Sequence, residues 1–427
     1  MTSNENPVTS RSPIGKPDAA TGIYRHGFGL KGQVSEEIVS DYTSSVIDCF
    51  RQNDFHIELP GLELHLAREF GFCYGVDKAI DYAYQTRRMF PEKRIFLTTE
   101  IIHNPRVNHK LMDMGIEFLN GQYCQGISHA DVKAEDVVLL PAFGASVQEV
   151  ELLRQKGCTL VDTTCGSVIH VWKRVEKYAR EGFTAVIHGK YSHEETIGTS
   201  SRVTQFPDGH YIVVRDKDEA QVVCDFIRGS VSSDTIARQF EKGVSSGFDP
   251  VRHLQRVGVA NQTTMLSSES LEIADMLKAA MIDRYGIDHL PEHFRSFDTI
   301  CSATQERQDA VQEMVRKDLD LILVVGGFNS SNTTHLIEIA SNHTRAFHIE
   351  DVSHLVSDTQ IRHQPYHSHE TVVSAGWLAG PPRRIGFTAG ASTPNRAVGD
   401  VILKVAELLG RGKDLADFCQ SPGLVLS

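Results

Sequence analysis

The sequence predicts an α/β protein of three similar lobes arranged about one centre. Two observations carry that prediction. From Leu62 onward, strand-like and helix-like patterns alternate, which is how parallel sheets with crossover helices read. Three times, a strand ends in a cysteine that opens a helix. The turns are Gly71-Phe72-Cys73, Asp162-Thr163-Thr164-Cys165 and Asp298-Thr299-Ile300-Cys301. A repeated supersecondary unit implies repeated lobes, and lobes around one centre bring three thiols together.

Taken in order, residues 1–21 are rich in Ser, Pro, Asn and Thr and read as a disordered tail. Residues 22–61 read as a helical extension whose Val34, Ile38, Val39, Tyr42, Val46, Ile47 and Phe50 face the main body. Lobe 1 spans 62–163. It opens on the alternating strand Leu62-Glu63-Leu64-His65-Leu66, and Val76, Ala79, Ile80, Ala83 and Tyr84 then fall on one helix face. Strands at 95–97, 137–140 and 159–161 and helices at 108–114 and 147–154 complete it. Lobe 2, residues 164–298, has a helix at 168–179, strands at 185–187, 211–214 and 256–259, and a helix at 270–285. Lobe 3, residues 299–395, has helices at 308–317 and 332–342 and strands at 321–325 and 384–387. Residues 396–427 read as a C-terminal helix and tail returning toward lobe 1. The stretches 227–255 and 355–383 read as irregular surface insertions.

Composition narrows the function. The 427 residues are 41% hydrophobic and 23% charged, which is globular. A net charge of −12 argues against a broad nucleic-acid surface. Apolar runs are too short to span a bilayer, and the first twenty residues lack the apolar segment of a secretory signal, so a cytoplasmic protein without a membrane partner is expected. The eight cysteines include no C-x-x-C pair, which excludes zinc ribbons, thioredoxin-like motifs and ferredoxin-type runs.

Cys73 sits in a Gly-flanked turn at a helix start, where orphan N–H groups favour a thiolate. Alone it suits a nucleophile or a metal ligand, and a lone cysteine is most often a core residue. Three in one context suit an iron–sulfur cluster with one open iron. Gly71 and Gly75 would let a large group approach. The loop at 189–199 carries Lys190, His193, Glu194 and Glu195, suited to an anion and a proton donor or simply to solvent. Gly326-Gly327-Phe328-Asn329-Ser330-Ser331-Asn332 and Thr388-Ala389-Gly390-Ala391-Ser392-Thr393-Pro394 each place small donors before a helix, as phosphate sites and ordinary N-caps both do. Thr263 or Thr264 after a strand can relay a proton or bond a substrate hydroxyl.

Together these stretches, with Glu100-Ile101-Ile102-His103-Asn104-Pro105, Leu140-Pro141-Ala142-Phe143-Gly144-Ala145 and Thr299-Ile300-Cys301-Ser302-Ala303-Thr304-Gln305-Glu306-Arg307-Gln308, resemble the 4-hydroxy-3-methylbut-2-enyl diphosphate reductases of the non-mevalonate isoprenoid pathway. The likeness covers about residues 22–403. It is nearest the cyanobacterial and plant branch, which shares the lead-in Arg25-His26-Gly27-Phe28-Gly29. The resemblance implies an iron–sulfur oxidoreductase whose Cys73, Cys165 and Cys301 hold a [4Fe–4S] cluster with one open iron. It implies that His103, His193, Ser330, Ser331, Asn332 and Ser392 hold the allylic diphosphate, that Glu195 supplies a proton and that Thr263 orients the hydroxyl. Two electrons from ferredoxin or flavodoxin would remove the hydroxyl as water, giving isopentenyl and dimethylallyl diphosphates.

Two positions depart from the wider family. Phe143 stands where many bacterial members have a diphosphate-binding His, although the cyanobacterial and plant branch shares it. Gly166-Ser167 stands where the family generally has Pro and a bulky residue, which predicts a looser turn and a more labile cluster. The competing readings are an aconitase-like hydro-lyase, which transfers no net electrons, and a cluster sensor that does not turn over.

Overall fold

Three separate sheets carry the alternating strands, and the chain passes from one sheet to another at each of the three cysteines. The computed structural model describes residues 15–19, 21–297, 299–380 and 384–420. The expected disordered tail falls largely on residues 1–14 and 20, which lie outside the described residues. So do Asp298 and residues 421–427 of the C-terminal tail.

The first sheet runs Ile23–Tyr24, Thr159–Asp162, Val137–Leu140, Ile95–Leu97 and Ile116–Phe118 in spatial order, all parallel. The second runs Phe294–Ser296, Val257–Asn261, Thr184–His188 and Tyr211–Val214, again all parallel. The third runs Ala346–Ile349, Leu321–Val325, Arg384–Ala389, Leu62–Leu66 and His56–Leu59, parallel except for its last edge pair. Val137–Leu140 and Leu321–Val325 are apolar and buried at every position, as parallel strands covered on both faces require.

One expectation is overturned here. Leu62–Leu66, assigned by sequence to lobe 1, pairs with Arg384–Ala389 in the third sheet. The helix Tyr74–Met89 that follows it packs instead on the first sheet, where Val76, Ala79, Ile80 and Ala83 meet Ile95, Leu97, Val137 and Leu139. Burying Val76 and Ile80 on that stripe contributes roughly 1.5–3 kcal/mol each. The other cysteines repeat the crossing. Thr159–Asp162 lies in the first sheet, while Val171, Val175 and Tyr178 of Gly166–Arg180 join Ala185 and Ile187 of the second. Phe294–Ser296 lies in the second sheet, while Ala310, Val311 and Met314 of Ser302–Met314 join Ile322 and Val324 of the third.

The helix Asn395–Leu408 buries Val398, Val401, Ile402 and Val405 in the core of the third sheet, beside Ile47 and Phe50 of Ser45–Gln52. Its target is therefore the sheet holding Leu62–Leu66 rather than the body of lobe 1. The extension at 22–61 is not only helical. Its strand Ile23–Tyr24 edges the first sheet and its strand His56–Leu59 edges the third, so it straps two sheets together.

The supposed insertions are also structured. Gln360–His363 and Val372–Ala375 form an antiparallel hairpin, and Ile361 and Trp377 are buried in the third-sheet core. Within 227–255, Ile236, Phe240 and Leu254 join the core of the second sheet. Single apolar residues spaced without period among polar ones gave the sequence pattern nothing to register.

Candidate active site

The cysteine turns are held by backbone bonds of one repeated kind. Each cysteine is the N-cap residue of its helix in extended conformation. Each N–H donates to a carbonyl two residues beyond the end of the strand neighbouring its own. Cys73 N donates to Ala391 O at 3.2 Å, Cys165 N to Ala142 O at 2.8 Å, and Cys301 N to Thr263 O at 3.4 Å. Cations from the adjoining helices add to this. Arg307, buried, donates to Gly71 O at 3.2 and 2.6 Å and to Phe72 O at 3.3 Å. Lys78 Nζ donates to Thr164 O at 3.0 Å. Arg174 lies over the Phe297 ring, 4.0 Å from its centroid, on the approach to Cys301.

The three cysteines border one cavity. Burial pushes the Cys73 thiol up and the Cys301 thiol up to about 11, outweighing the bonds that Cys301 receives from Thr304. The expected thiolate at a helix start is thus overruled by desolvation, and a free nucleophile is disfavoured at these two positions. Binding a metal centre would displace those protons. The trios of ligand atoms lying within 4.8 Å of one another among the described residues are His56, Glu63, His65 and His103, His193, Glu194. The cysteines are in neither. Thiols spread around a cavity fit the corners of a cluster better than a single ion, so the donor set fits the expected group. Gly71 and Gly75 serve closer neighbours than expected. A Cβ at Gly71 would lie 2.6 Å from Asn395 Oδ1, and one at Gly75 would lie 2.5 Å from Cys165 Sγ.

Polar loops from all three sheets face the cysteines across the same cavity. Glu195, expected in a loop, is in the first turn of the helix Glu194–Val203, with His193 as its cap. The residue is 2% exposed. Oε1 accepts from Thr263 N at 2.6 Å and Oε2 from the Thr263 hydroxyl at 3.0 Å. Burial pushes its pKa up to about 7 despite those two bonds. Thr264 turns its Oγ1 instead to Gln262, accepting from Nε2 at 2.7 Å. This separates the two threonines that the sequence left undecided.

The other side chains converge from loops that precede helices. Ser330 caps the helix Ser331–Ser341, accepting from Thr333 N. Ser331 Oγ accepts from Gln262 Nε2 at 3.2 Å, and Asn332 Oδ1 accepts from Ala391 N at 2.9 Å. Ser392 Oγ donates to His103 O at 3.1 Å. The orphan N–H groups of that helix and the hydroxyls around it make a seat for an anion. His103 Nε2 lies 3.2 Å from His193 Nε2, and Phe143 stacks on His103 with centroids 4.7 Å apart.

The eleven side chains that the family resemblance implies all line this cavity: the three cysteines, His103, His193, Glu195, Thr263, Ser330, Ser331, Asn332 and Ser392. Phe143 and Ser167 join them, whereas Lys190 and Glu194 do not. Sequence reading missed Arg307, Lys78, Glu100, Gln262 and Asn329, which hold the lining residues from behind. Glu100 and Arg307 lay inside quoted motifs, but nothing local distinguished them from solvated charges.

Comparison with known proteins identifies the family. A family model described as LytB protein matches residues 64–406. A 4-hydroxy-3-methylbut-2-enyl diphosphate reductase of Thermosynechococcus vestitus is 47% identical, covering 91% of this chain and 96% of that one. The reductase of the same name from Gloeobacter violaceus is 47% identical, covering 91% and 93%. A solved structure of (E)-4-hydroxy-3-methyl-but-2-enyl diphosphate reductase, described as the terminal enzyme of the non-mevalonate pathway, superposes with a TM-score of 0.50. It is 27% identical and covers 81% of this chain and 99% of that one. The solved E-1-hydroxy-2-methyl-but-2-enyl-4-diphosphate reductase of Plasmodium falciparum shares the fold, with a TM-score of 0.58 at 23% identity over 79% and 86% of the two chains.

Proposed function

The chain belongs to the LytB family of reductases, and from that premise we propose that its cavity carries out the reductive dehydroxylation of 4-hydroxy-3-methylbut-2-enyl diphosphate. The single observation that carries the reading is the cavity itself. It sets three half-buried cysteines, a hydroxyl-rich helix N-terminus and a buried carboxyl of raised pKa around one space.

Cys73, Cys165 and Cys301 would hold a [4Fe–4S] cluster. When bound, that cluster supplies an open iron as Lewis acid for the substrate hydroxyl and the route for two electrons. The chain's residues do the rest. Ser330, Ser331, Asn332 and Ser392 receive the diphosphate with His103 and His193. Hydrogen bonds to a charged group net roughly 1.5–3 kcal/mol each, so several suffice in a chain of net charge −12. Thr263 bonds the substrate hydroxyl and keeps the Glu195 carboxyl in line with it. Glu195 gives its proton to the departing oxygen, which leaves as water. Two electrons and a second proton replace the broken C–O bond by C–H, at either end of the allyl unit, giving isopentenyl or dimethylallyl diphosphate.

The three strand–cysteine–helix units form a pseudo-threefold set around the cluster, which the repeated N–H···O bonds from Cys73, Cys165 and Cys301 support. Electrons arrive from ferredoxin or flavodoxin in the cytoplasm. No helix among the described residues is long and apolar enough to cross a membrane, which is compatible with that setting.

The test is anaerobic. Protein with one cluster per chain, verified by iron and sulfide counts and by electron paramagnetic resonance, is expected to convert substrate only when a low-potential reductant is added. Full conversion without a reductant would favour the hydro-lyase reading and sink this one. Intact cluster with no conversion under reductant would favour the sensor.

A further inference from the structure

The hydrogen bonds around His103 fix which nitrogen carries each proton, and they leave the site one proton short of what a bound diphosphate needs. Resting on the reading of His103 and His193 as diphosphate ligands, we propose that the Glu100–His103 pair takes up one proton when the diphosphate binds. Glu100 is then the positioning residue that lets His103 act as a donor.

The chain of bonds runs through three loops. Glu195 N donates to His193 Nδ1 at 3.1 Å, and a backbone N–H can only donate. His193 therefore carries its hydrogen on Nε2. Burial, reinforced by His103 and Lys190, also holds its pKa well below the ordinary value, so it is neutral. Its Nε2–H points to His103 Nε2 at 3.2 Å, which must accept. His103 consequently carries its hydrogen on Nδ1, facing Glu100 Oε2 at 3.2 Å. Glu100 is buried, which raises its pKa. The bonds it accepts from His103, from Asn329 Nδ2 at 2.9 Å and from Gln122 Nε2 at 2.7 Å more than offset that and hold it below the ordinary carboxylate value.

An arriving diphosphate offers acceptors only. His193 can turn its Nε2–H from His103 to the anion with no change of charge. His103 cannot, because its Nε2 is bare. A shift of its own hydrogen from Nδ1 to Nε2 would turn the Nδ1 lone pair toward the Glu100 carboxylate at 3.2 Å, with only the longer 3.3 Å contact from Asn329 Nδ2 to satisfy it. One proton must therefore enter the pair, on His103 Nε2 or on Glu100, and in either case His103 gains an Nε2–H.

Charged and titratable groups around the pair come from every neighbouring loop. Glu194 Oε2 lies 4.0 Å from His103 Nε2, which favours a cation there. Lys190 acts on His193, Tyr123 and Glu350 act on Glu100, and His103 acts on Glu195. Phe143 stacked on His103 excludes solvent from one ring face without offering a charge of its own.

The experiment is isothermal titration of dimethylallyl diphosphate into cluster-loaded protein at about pH 8, in buffers of different ionisation enthalpy. An alkyl diphosphate with a second pKa near that of a phosphate ester, about 6, is fully ionised there, so any proton counted enters the protein. Wild type is expected to take up about one proton per ligand, with Kd weakening about tenfold per unit rise in pH. In Glu100→Gln, a side-chain N–H can donate to bare Nδ1 of a neutral His103. That variant is expected to bind more weakly, without proton uptake and with a nearly flat pH profile. Binding by wild type with no proton uptake overturns the inference and leaves the anion site standing. Persistent uptake in Glu100→Gln overturns the assignment to this pair. Absence of binding by folded, loaded wild type overturns the anion site and the inference together.

Discussion

The cysteine-bearing side of the cavity and the anion-facing side use different kinds of bond. Cys73, Cys165 and Cys301 are fixed by their own backbone N–H groups, each to a carbonyl just past a neighbouring parallel strand. The opposite side is fixed by side chains that reach between sheets: Asn329 to Glu100, Gln262 to Ser331, Ser392 to His103 O. Backbone bonds repeat wherever the strand–turn–helix unit repeats, and they tolerate changes of side chain. Side-chain bonds are particular to one place. The cysteine side should therefore fail as a unit, with its fold, while the anion side should lose single functions and keep its cluster.

Glu195→Gln tests the second half of that contrast and carries the largest expected effect. Gln keeps the shape and can still bond Thr263, but it has no proton to give. Turnover should fall about 10²–10⁴-fold, the usual weight of a positioned acid, while iron per chain stays at the wild-type value. The wild-type pH profile belongs to the same test. With the Glu195 pKa raised to about 7, the carboxyl is protonated below that pH and ionised above it. Turnover should therefore decline as pH rises through about 7. A profile that still rises there would remove Glu195 as the donor. Loss of iron from the Gln variant would break the contrast between the two sides.

Arg307→Met tests the first half. The side chain is buried, and its Nε and Nη2 serve the carbonyls of Gly71 and Phe72 beside Cys73. Met fills similar apolar volume and leaves those carbonyls without their charged donor. Leaving buried polar groups unpaired costs about 1–3 kcal/mol each. Both stability to denaturant and iron content should fall together. Asn329→Ala is the matched control on the other side, expected to weaken diphosphate binding while iron is unchanged. If Arg307→Met lost only diphosphate affinity, the division between the two sides would be wrong.

The same contrast explains what could be read from the sequence. The strand–cysteine–helix unit is local, so Cys73, Cys165 and Cys301 were visible as a set, and their family motifs brought His103, His193, Glu195 and Thr263 with them. Partners distant in sequence were not visible. Leu62–Leu66 carries no mark that its neighbour is Arg384–Ala389, because any parallel apolar strand would pair there equally well. Glu100 and Arg307 look like surface charges until the fold buries them among carbonyls, amides and imidazole. Trp377 reads as one aromatic in a polar stretch, yet it fills the third-sheet core from behind a hairpin.

The smallest predicted effect concerns the cysteine turn that carries Gly166-Ser167. Its Cys165 N–H bond is 2.8 Å, Thr163 Oγ1 donates to Leu140 O, Thr164 N donates to Asp162 Oδ1, and Lys78 Nζ donates to Thr164 O. Its helix begins at Gly166, so the glycine does not prevent the turn from forming. No atom lies within 4 Å of where a Cβ on Gly166 would stand. Cys165 has φ −64° and ψ 146°, the conformation that a following proline demands. The first residue of a helix has no intrahelical partner for its N–H, so proline gives up little there. Gly166→Pro should raise the stability of cluster-free protein by roughly 0.4–1 kcal/mol through the unfolded chain, measured by denaturant unfolding. It should also slow cluster loss in air. Lower stability of the cluster-free variant would mean that Gly166 is strained in a way its surroundings do not reveal. Unchanged stability with faster cluster loss would mean that the Gly166 N–H serves the cluster, and the cysteine side would then depend on backbone donors even more than its three repeated bonds imply.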